Sequence, residues 1–178
     1  MGRYEAAVFY DFTRHRDQMG DEFPLVELAV DLDQCRLGLC RCEEQGAITL
    51  LEEISSPQNR PLDQVWLERL AAETGAPEED LRTALTENGA NQGLWNYYRA
   101  GHRLEGGISL VSGFVLSYRQ ADEAFLPVRS ALTALLEQSL EQLERRNLSE
   151  DAVRILAFGW LADCAPAQLV LRETLSFD

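Results

Sequence analysis

The chain has 178 residues, of which 46% are hydrophobic, and a formal net charge of −14. This hydrophobic content supports a folded core rather than a disordered chain. The excess of 30 acidic over 16 basic residues argues against nucleic acid and anionic lipid as partners, because a negative field repels both.

Targeting signals and membrane spans are not predicted. No apolar run reaches about 18 residues, which excludes a membrane-spanning helix. The first residues, Met1 to Arg16, are too charged for a signal peptide, so we expect a cytoplasmic location.

The basic and sulfur-containing residues exclude several kinds of site. All 16 basic residues are Arg, so the chain has no P-loop lysine, Schiff-base lysine or lysine general base. The four cysteines, Cys35, Cys40, Cys42 and Cys164, lack the paired spacing of a zinc site. We expect no bound metal at these positions and interpret the cysteines as buried, reduced thiols.

The first half of the chain predicts one helix followed by an antiparallel meander. Its predicted elements are a helix over 4–16, a polar loop at 17–22, strands over 25–32, 36–42 and 47–54 with a turn at 43–46, and a helix over 62–74 ended by Gly75.

The second half predicts helices, a strand pair, one long helix and a final strand. The predicted elements are helices over 78–87 and 93–104 with a break at Asn88-Gly89, strands over 108–111 and 114–118, a helix from near Gln120 to Arg146 kinked or broken at Pro127, a cap at Ser149, a strand over 154–158, a turn at Gly159 and a helix from Pro166.

This order of elements predicts an α/β fold with a mixed sheet. A strand that follows a long helix can return parallel to the first strand, so we expect 25–32 and 154–158 to be neighbours. The stretches that follow these two strands would then meet at one cleft. We expect a single lobe over residues 1–178 with an inserted subdomain at 78–118, which is mostly helical between Glu78 and Gly107.

Several segments in this order resemble the second lobe of the nucleotide-binding domain of the DnaK-type heat-shock chaperones. These segments are Glu5–Tyr10, Leu28–Leu32, Leu62–Val65, Phe114–Val128 and Ser149–Leu175. The resemblance implies an actin-like ATPase (ribonuclease H-like) lobe that binds ATP or ADP with magnesium. It also implies a cytoplasmic chaperone as the parent protein.

The resemblance places the nucleotide site at two turns. Asp31 matches the start of the family's second phosphate loop, but Asp33 and Gln34 stand where that loop has glycines. The family's adenosine turn keeps one glycine here, Gly159, which is followed by Trp160. Glycine matters at such turns because backbone amides must approach phosphate without an intervening Cβ. These departures predict a degenerate site.

A third group of candidate residues comes from the family's adenine-contacting helix. The matching stretch of this chain is Tyr98 to Leu104, where Arg99 and His102, together with Arg103, offer the polar contacts. His102 has no Ser or Asp partner at a recognisable spacing, so a hydrolase triad is not supported.

Each candidate also has a structural interpretation. Asp31 either contacts a magnesium-bound phosphate or caps a turn at the end of a strand. Gly159 either admits a nucleoside or makes a plain strand-to-helix turn. Trp160, together with Trp95, Tyr97 and Tyr98, either clamps a base or belongs to the core or an interface.

Two functions follow from these alternatives. In the first, the chain is a fragment or remnant of a DnaK-like ATPase that acts as a scaffold or partner-binding lobe. Its partner is then another protein or the family's first lobe, and no catalysis is expected from this chain alone. In the second, the chain is an independent acidic protein-interaction module that binds no nucleotide.

Overall fold

The computed structural model describes residues 2–15, 25–56, 60–110, 113–148 and 153–175. The elements in chain order are α1 (Arg3–His15), β1 (Leu25–Asp31), β2 (Arg36–Cys42), β3 (Ile48–Ser55), α2 (Leu62–Thr74), α3 (Glu78–Thr86), α4 (Asn88–Arg99), β4 (Gly107–Ser109), β5 (Val115–Ser117), α5 (Tyr118–Arg145), β6 (Val153–Phe158), a 3₁₀ turn (Trp160–Asp163) and α6 (Ala165–Thr174). The predicted loop at 17–22 and the predicted cap at Ser149 lie outside these residues.

A mixed four-stranded sheet forms the centre of the α/β fold, with strand order β3-β2-β1-β6. The strands β1, β2 and β3 are antiparallel neighbours, and β6 runs parallel to β1. Val26 lies opposite Val153, and Asp31 lies opposite Phe158. The predicted pairing of the first and last strands is therefore confirmed. The carboxyl ends of β1 and β6 lie side by side.

The two faces of the sheet have separate cores, because side chains alternate along a strand. Leu28 and Val30 of β1 belong to the large core, which includes Trp66 of α2 and Phe125 of α5. Ala29 of β1 belongs to a smaller core under α1. The residues of α1 in this smaller core are Tyr4, Val8 and Phe12. Helix α1 thus covers one face alone.

Helix α5 begins earlier than predicted, and of the predicted kink or break at Pro127 the break is absent. It begins at Tyr118, because Ser117 and Gln120 form a reciprocal capping box. It also continues through Pro127, although proline removes a hydrogen bond from a helix interior. The flanking Phe125 and Val128 are fully buried, and their packing holds the helix together across the proline.

The boundaries of α3 and α4 also differ from their predictions. The two helices are separated at Glu87, and Asn88-Gly89 starts α4 rather than standing between helices. Helix α4 ends at Arg99, five residues before the predicted Leu104. Gly101 and His102 both have positive φ, 61° and 64°, which is incompatible with continuing a right-handed helix.

The stretch between α3 and β5 shares the large core. Leu85 of α3, Leu94 of α4 and Leu116 of β5 are buried in the same cluster as the residues of α2 and α5. The strands β4 and β5 form a two-stranded antiparallel sheet of their own. The predicted strand over 108–111 is shorter in the structure, and its last residue is outside the described ranges.

No helix in the described part of the chain combines the length and the apolar composition needed to cross a bilayer.

A buried carboxylate lies between α1 and the sheet. Glu27 of β1 is fully buried, and its Oε1 is 3.5 Å from Arg154 of β6. Arg154 also pairs with Asp11 of α1 at 3.0 Å, and His15 lies 2.8 Å from that same Asp11. In the described part of the chain, Oε2 of Glu27 is buried without a hydrogen-bond partner.

The environment of Glu27 makes its charged form costly. Burial raises the pKa of the Glu27 carboxyl to about 7; Arg154 opposes this shift and Asp11 adds to it. The ordinary value is 4.5, so between about pH 4.5 and 7 the folded protein binds more protons than the unfolded chain. The contribution of Glu27 to stability is therefore largest below pH 4.5 and is lost as the pH rises through 7.

The variant Glu27→Gln is expected to remove this loss, because its amide stays neutral. The free energy of unfolding of the variant minus that of wild type should increase as the pH rises from 4.5 to 8, by about 3 kcal/mol at most. Urea unfolding at several pH values measures the difference. The matched control is Glu44→Gln, which changes an exposed glutamate of the β2–β3 turn. A wild-type-to-variant difference that is independent of pH would contradict the argument.

Candidate functional site

The loop between β1 and β2 makes hydrogen bonds at or beside four other elements around the carboxyl end of β1. Leu32 donates its N–H to the carbonyl of Phe158 at the end of β6, 3.0 Å. The carbonyl of Asp33 accepts from Leu62 at the start of α2, 2.6 Å. The carbonyl of Cys35 accepts from Ser56 after β3, 3.0 Å, and the Cys35 Sγ donates to a carbonyl of α5, 3.7 Å.

The carboxylate of Asp33 binds the turn after β6. The backbone N–H of Trp160 donates to Oδ2 at 2.7 Å, and the N–H of Leu161 donates to Oδ1 at 2.9 Å. Both oxygens of one carboxylate are thus bound by two consecutive amides. A carboxylate bound in this way forms charge-assisted hydrogen bonds, which are stronger than neutral ones.

Gly159 is required by this contact. Its φ is +100°, a conformation that side chains with a Cβ rarely adopt. A Cβ at this position would lie 2.8 Å from Cγ of Asp33. The glycine lets the Asp33 carboxylate approach the backbone, which is the role that sequence reasoning assigned to it for a nucleotide.

An anion at the turn after β6 would compete with the Asp33 carboxylate for two backbone donors. The amides of Trp160 and Leu161 are the donors that an anion at this turn would use, and both donate to Asp33. An anion there would also lie beside a negative carboxylate. A like-charge pair at about 4 Å costs about 1 to 4 kcal/mol.

The side chain of Asp31 caps the turn at the end of β1. It is 1% exposed, and its Oδ1 accepts from the backbone N–H of Gln34 at 3.3 Å. Its Oδ2 pairs with Nε of Arg3 in α1 at 2.8 Å. Burial raises the pKa of Asp31 above its ordinary value, while the Gln34 N–H and the Arg3 guanidinium act to lower it. Of the two sequence interpretations, this geometry matches the turn cap.

Trp160 is half-buried and packs against the helices. Its ring lies 5.9 Å from that of Trp66 in α2, and the guanidinium of Arg82 in α3 lies 4.5 Å from its ring centroid. Arg82 is held in place by Asp63 at 2.7 Å. Cation–π and ring contacts thus fix Trp160 between α2 and α3.

Asn91 of α4 was missed by sequence reasoning and secures the same turn. Its Nδ2 donates to the carbonyl of Asp163 at 2.6 Å, and its Oδ1 accepts from the N–H of Ala165 at 2.9 Å. One amide side chain therefore joins the 3₁₀ turn to the start of α6. Asn91 is 72 residues from Asp163, and no local sequence signal marks it.

Arg99 and His102 lie elsewhere. Helix α4 reaches the turn through Asn91, and Arg99 is eight residues later, about 12 Å along the helix axis. His102 pairs with Asp122 of α5 at 3.3 Å, and its ring lies 4.9 Å from that of Tyr97. The structure does not bring these two residues to Asp33 and Gly159.

The aromatic residues of the proposed clamp fall into two groups. Trp160 contacts Trp66, whereas Tyr98 contacts Trp95 and Tyr97, with ring centroids at 6.3 and 5.6 Å. The second group belongs to α4 and packs partly on α6, where Arg172 lies 5.0 Å from the Trp95 ring. The rings therefore have packing roles in two places.

The cysteines were correctly interpreted as buried thiols. All four are buried, and no two of them form a disulfide bond. Burial raises the pKa of the Cys35 thiol to about 11 and that of Cys40 to about 12, so neither is a reactive thiolate at neutral pH. Within the described ranges, no three His, Cys, Asp or Glu residues are grouped to hold a metal ion.

Comparison with protein-family models gives no match for this sequence, and comparison with curated proteins gives none either. The functional assignment therefore depends on the geometry of the loop after β1 and the turn after β6.

The variant Asp33→Ala is expected to destabilise the protein by about 2 to 4 kcal/mol, because two charge-assisted hydrogen bonds are lost. Chemical denaturation of both proteins measures the change. The matched control is Asp163→Ala, which removes an exposed aspartate from the same turn and should change stability by less than about 0.5 kcal/mol. Equal effects of the two substitutions would contradict the assigned role of Asp33.

Proposed function

We propose that this chain is an actin-like ATPase lobe whose nucleotide site is closed by its own Asp33, and that it serves as a scaffold or partner-binding lobe. The family in question is that of the DnaK-type chaperones. The observation that carries the proposal is the pair of hydrogen bonds, 2.7 and 2.9 Å, from the amides of Trp160 and Leu161 to the Asp33 carboxylate. The carboxylate takes both backbone donors of the turn that the resemblance matches to the family's adenosine turn.

The topology supports the architectural part of the proposal. An antiparallel meander of β1, β2 and β3 is followed by helices and by β6, which is parallel to β1. Asp31 ends β1 and Gly159 follows β6, so the two turns implied by the resemblance are neighbours in space. A ligand commonly binds where strand ends of an open α/β sheet meet, and here the internal carboxylate takes that place.

The outer face of α1 supports the partner-binding part. Phe9 is 41% exposed and Tyr10 is 62% exposed on a helix that covers one face of the sheet. Exposed aromatic side chains are enriched at protein interfaces. The partner in this proposal is either another protein or the first lobe of the same ATPase.

A second candidate is an independent acidic interaction module that binds no nucleotide. The net charge of −14 favours it, since such a field attracts basic protein surfaces. In this candidate the turn after β6 does not derive from a nucleotide site.

Nucleotide titration tests the proposal, with Trp160 as a fluorescent reporter beside the turn. The wild-type protein should show no saturable emission change with millimolar ATP or ADP and magnesium, because its amides are already bound. An intact DnaK-type ATPase provides the positive control. A saturable change in the wild type that Asp33→Ala abolishes would contradict the proposal.

A second arm separates the two candidates with pyrophosphate as the probe. In Asp33→Ala the two amides are free, so pyrophosphate at about ten times its dissociation constant should raise the melting temperature by about 3 to 6 °C. Wild type and Asp163→Ala should not respond in this way. No rise in Asp33→Ala would contradict the closed-site proposal and leave the interaction module as the better account.

A further inference from the structure

Helix α1 forms a layer of its own on one face of the central sheet. It packs on all four strands, and its buried side chains, Tyr4, Val8 and Phe12, belong to the smaller core together with Ala29 of β1. Among the described residues of α1, none belongs to the large core on the other face. Loss of the contacts between α1 and the sheet would therefore leave the packing of the large core unchanged.

Three polar contacts also join α1 to the sheet, and each has one partner that is at least partly exposed to solvent. Water screens such pairs, so the docking of α1 depends mainly on its apolar side. The three contacts are those of Arg3 with Asp31 at 2.8 Å, Asp11 with Arg154 at 3.0 Å and Tyr4 with Glu53 at 3.1 Å.

The carboxyl group of Glu27 lies in the interface between α1 and the sheet. Glu27 is fully buried, and in the register of the sheet it stands between Cys40 of β2 and Arg154 of β6. Its Oε1 is 3.5 Å from Arg154, whereas Asp11 of α1 lies closer to the same guanidinium, at 3.0 Å. Its Oε2 has no hydrogen-bond partner among the described residues. One guanidinium thus serves two carboxylates, and the buried carboxylate is the less well paired.

The other titratable and charged groups on this side of the sheet do not make up the missing partner. In the part of the chain that the structure describes, Arg154 is the one cation within 4 Å of the Glu27 carboxylate. His15 contacts Asp11 at 2.8 Å. The groups on this side are Arg3, Tyr4, Glu5, Asp11 and His15 of α1, Asp31 of β1, Arg36, Cys40 and Cys42 of β2, Glu53 of β3 and Arg154 of β6.

Ionisation of Glu27 is more costly with α1 in place than with α1 detached. Under the helix the carboxylate is removed from water and shares its counter-charge with Asp11, whereas without the helix water would hydrate it. Burial raises the pKa of Glu27 from 4.5 to about 7. The docked state therefore holds the proton more tightly, and docking weakens as the pH rises from 4.5 through 7.

We propose that α1 is a pH-sensitive latch, which lies on the sheet while Glu27 is protonated and shifts towards a detached state when Glu27 ionises. The detached state keeps the large core and uncovers the sheet face that carries Ala29, Cys40 and Cys42. This latch goes beyond the closed anion site and stands without it. It involves α1 and the face beneath it, not Asp33 and the turn after β6, so the nucleotide experiments test a different claim.

The cysteines report on the two faces of the sheet separately. Cys40 and Cys42 belong to the smaller core under α1, whereas Cys35 and Cys164 belong to the large core. Labelling with N-ethylmaleimide, assigned to each cysteine by mass spectrometry, measures how often each thiol becomes accessible. Cys40 and Cys42 should react at least about tenfold faster than the other two, because they need only local opening.

The pH dependence is measured against Glu27→Gln, whose side chain stays neutral. Dividing the wild-type labelling rate of Cys40 and Cys42 by the variant's rate at the same pH cancels the ionisation of the thiols and of the other groups. This ratio should rise about tenfold between pH 6 and 8, because the docked carboxyl titrates near 7. The exposed control Glu44→Gln should label like wild type at both pH values.

A variant in α1 tests the latch at constant pH. Val8→Asn places a polar side chain at a fully buried position of the helix. It should speed the labelling of Cys40 and Cys42 by about tenfold or more at pH 6, and these two should remain the faster pair. His15→Gln should keep the wild-type pH dependence, because the imidazole contacts Asp11.

Four results would overturn the proposal. Equal labelling rates at all four cysteines of wild type would show that opening is global unfolding. A ratio of wild type to Glu27→Gln that is constant with pH would remove Glu27 from the mechanism. Unchanged labelling in Val8→Asn would show that α1 does not cover the two thiols, and loss of the pH dependence in His15→Gln would assign it to the histidine.

Discussion

The structure depends on one carboxylate. Asp33 accepts hydrogen bonds from two successive amides of the turn after β6, while its own carbonyl accepts from the first residue of α2. A single residue thus fixes the end of β1, the turn after β6 and the start of α2. The bonds are charge-assisted, and Gly159 makes them possible by allowing the carboxylate close to the backbone.

This interaction has an electrostatic consequence for function. An external anion would compete with Asp33 for the same two amides. The negative charge of Asp33 would also repel that anion. Trp160 and Arg82 strengthen the closed arrangement, because the ring is held between α2 and α3 by Trp66 and the guanidinium.

Much of the fold was predictable because its signals are local. A mostly apolar run predicted β1, and partial alternation predicted β2. The helix over 62–74 was predicted to the residue because Gly75 ends it in a left-handed conformation. The parallel pairing of β1 with β6 followed from the order of elements. The end of α4 carried a signal that the prediction missed, because Gly101, two residues after Arg99, takes a positive φ. His102 also takes a positive φ, without being a glycine, and nothing in the sequence indicates that.

The candidate site was predictable only in part. Asp31, Asp33 and Gly159 were correctly placed near one another by the strand pairing, but the partner of the Asp33 carboxylate lies 127 residues away. No local sequence signal marks Asn91. Arg99 and His102 were assigned to the site by the resemblance, and the structure does not bring them to Asp33 and Gly159. Long-range side-chain-to-backbone contacts leave no periodicity in a sequence.

Amide hydrogen exchange at Trp160 and Leu161 tests the central claim most directly. Both amides follow a glycine turn, where exchange with solvent is ordinarily fast, yet each is bound to Asp33. Exchange in the wild-type protein should be at least about 100-fold slower than in an unstructured chain. Exchange of both amides at unstructured rates, in a sample whose β1 amides are protected, would contradict the account.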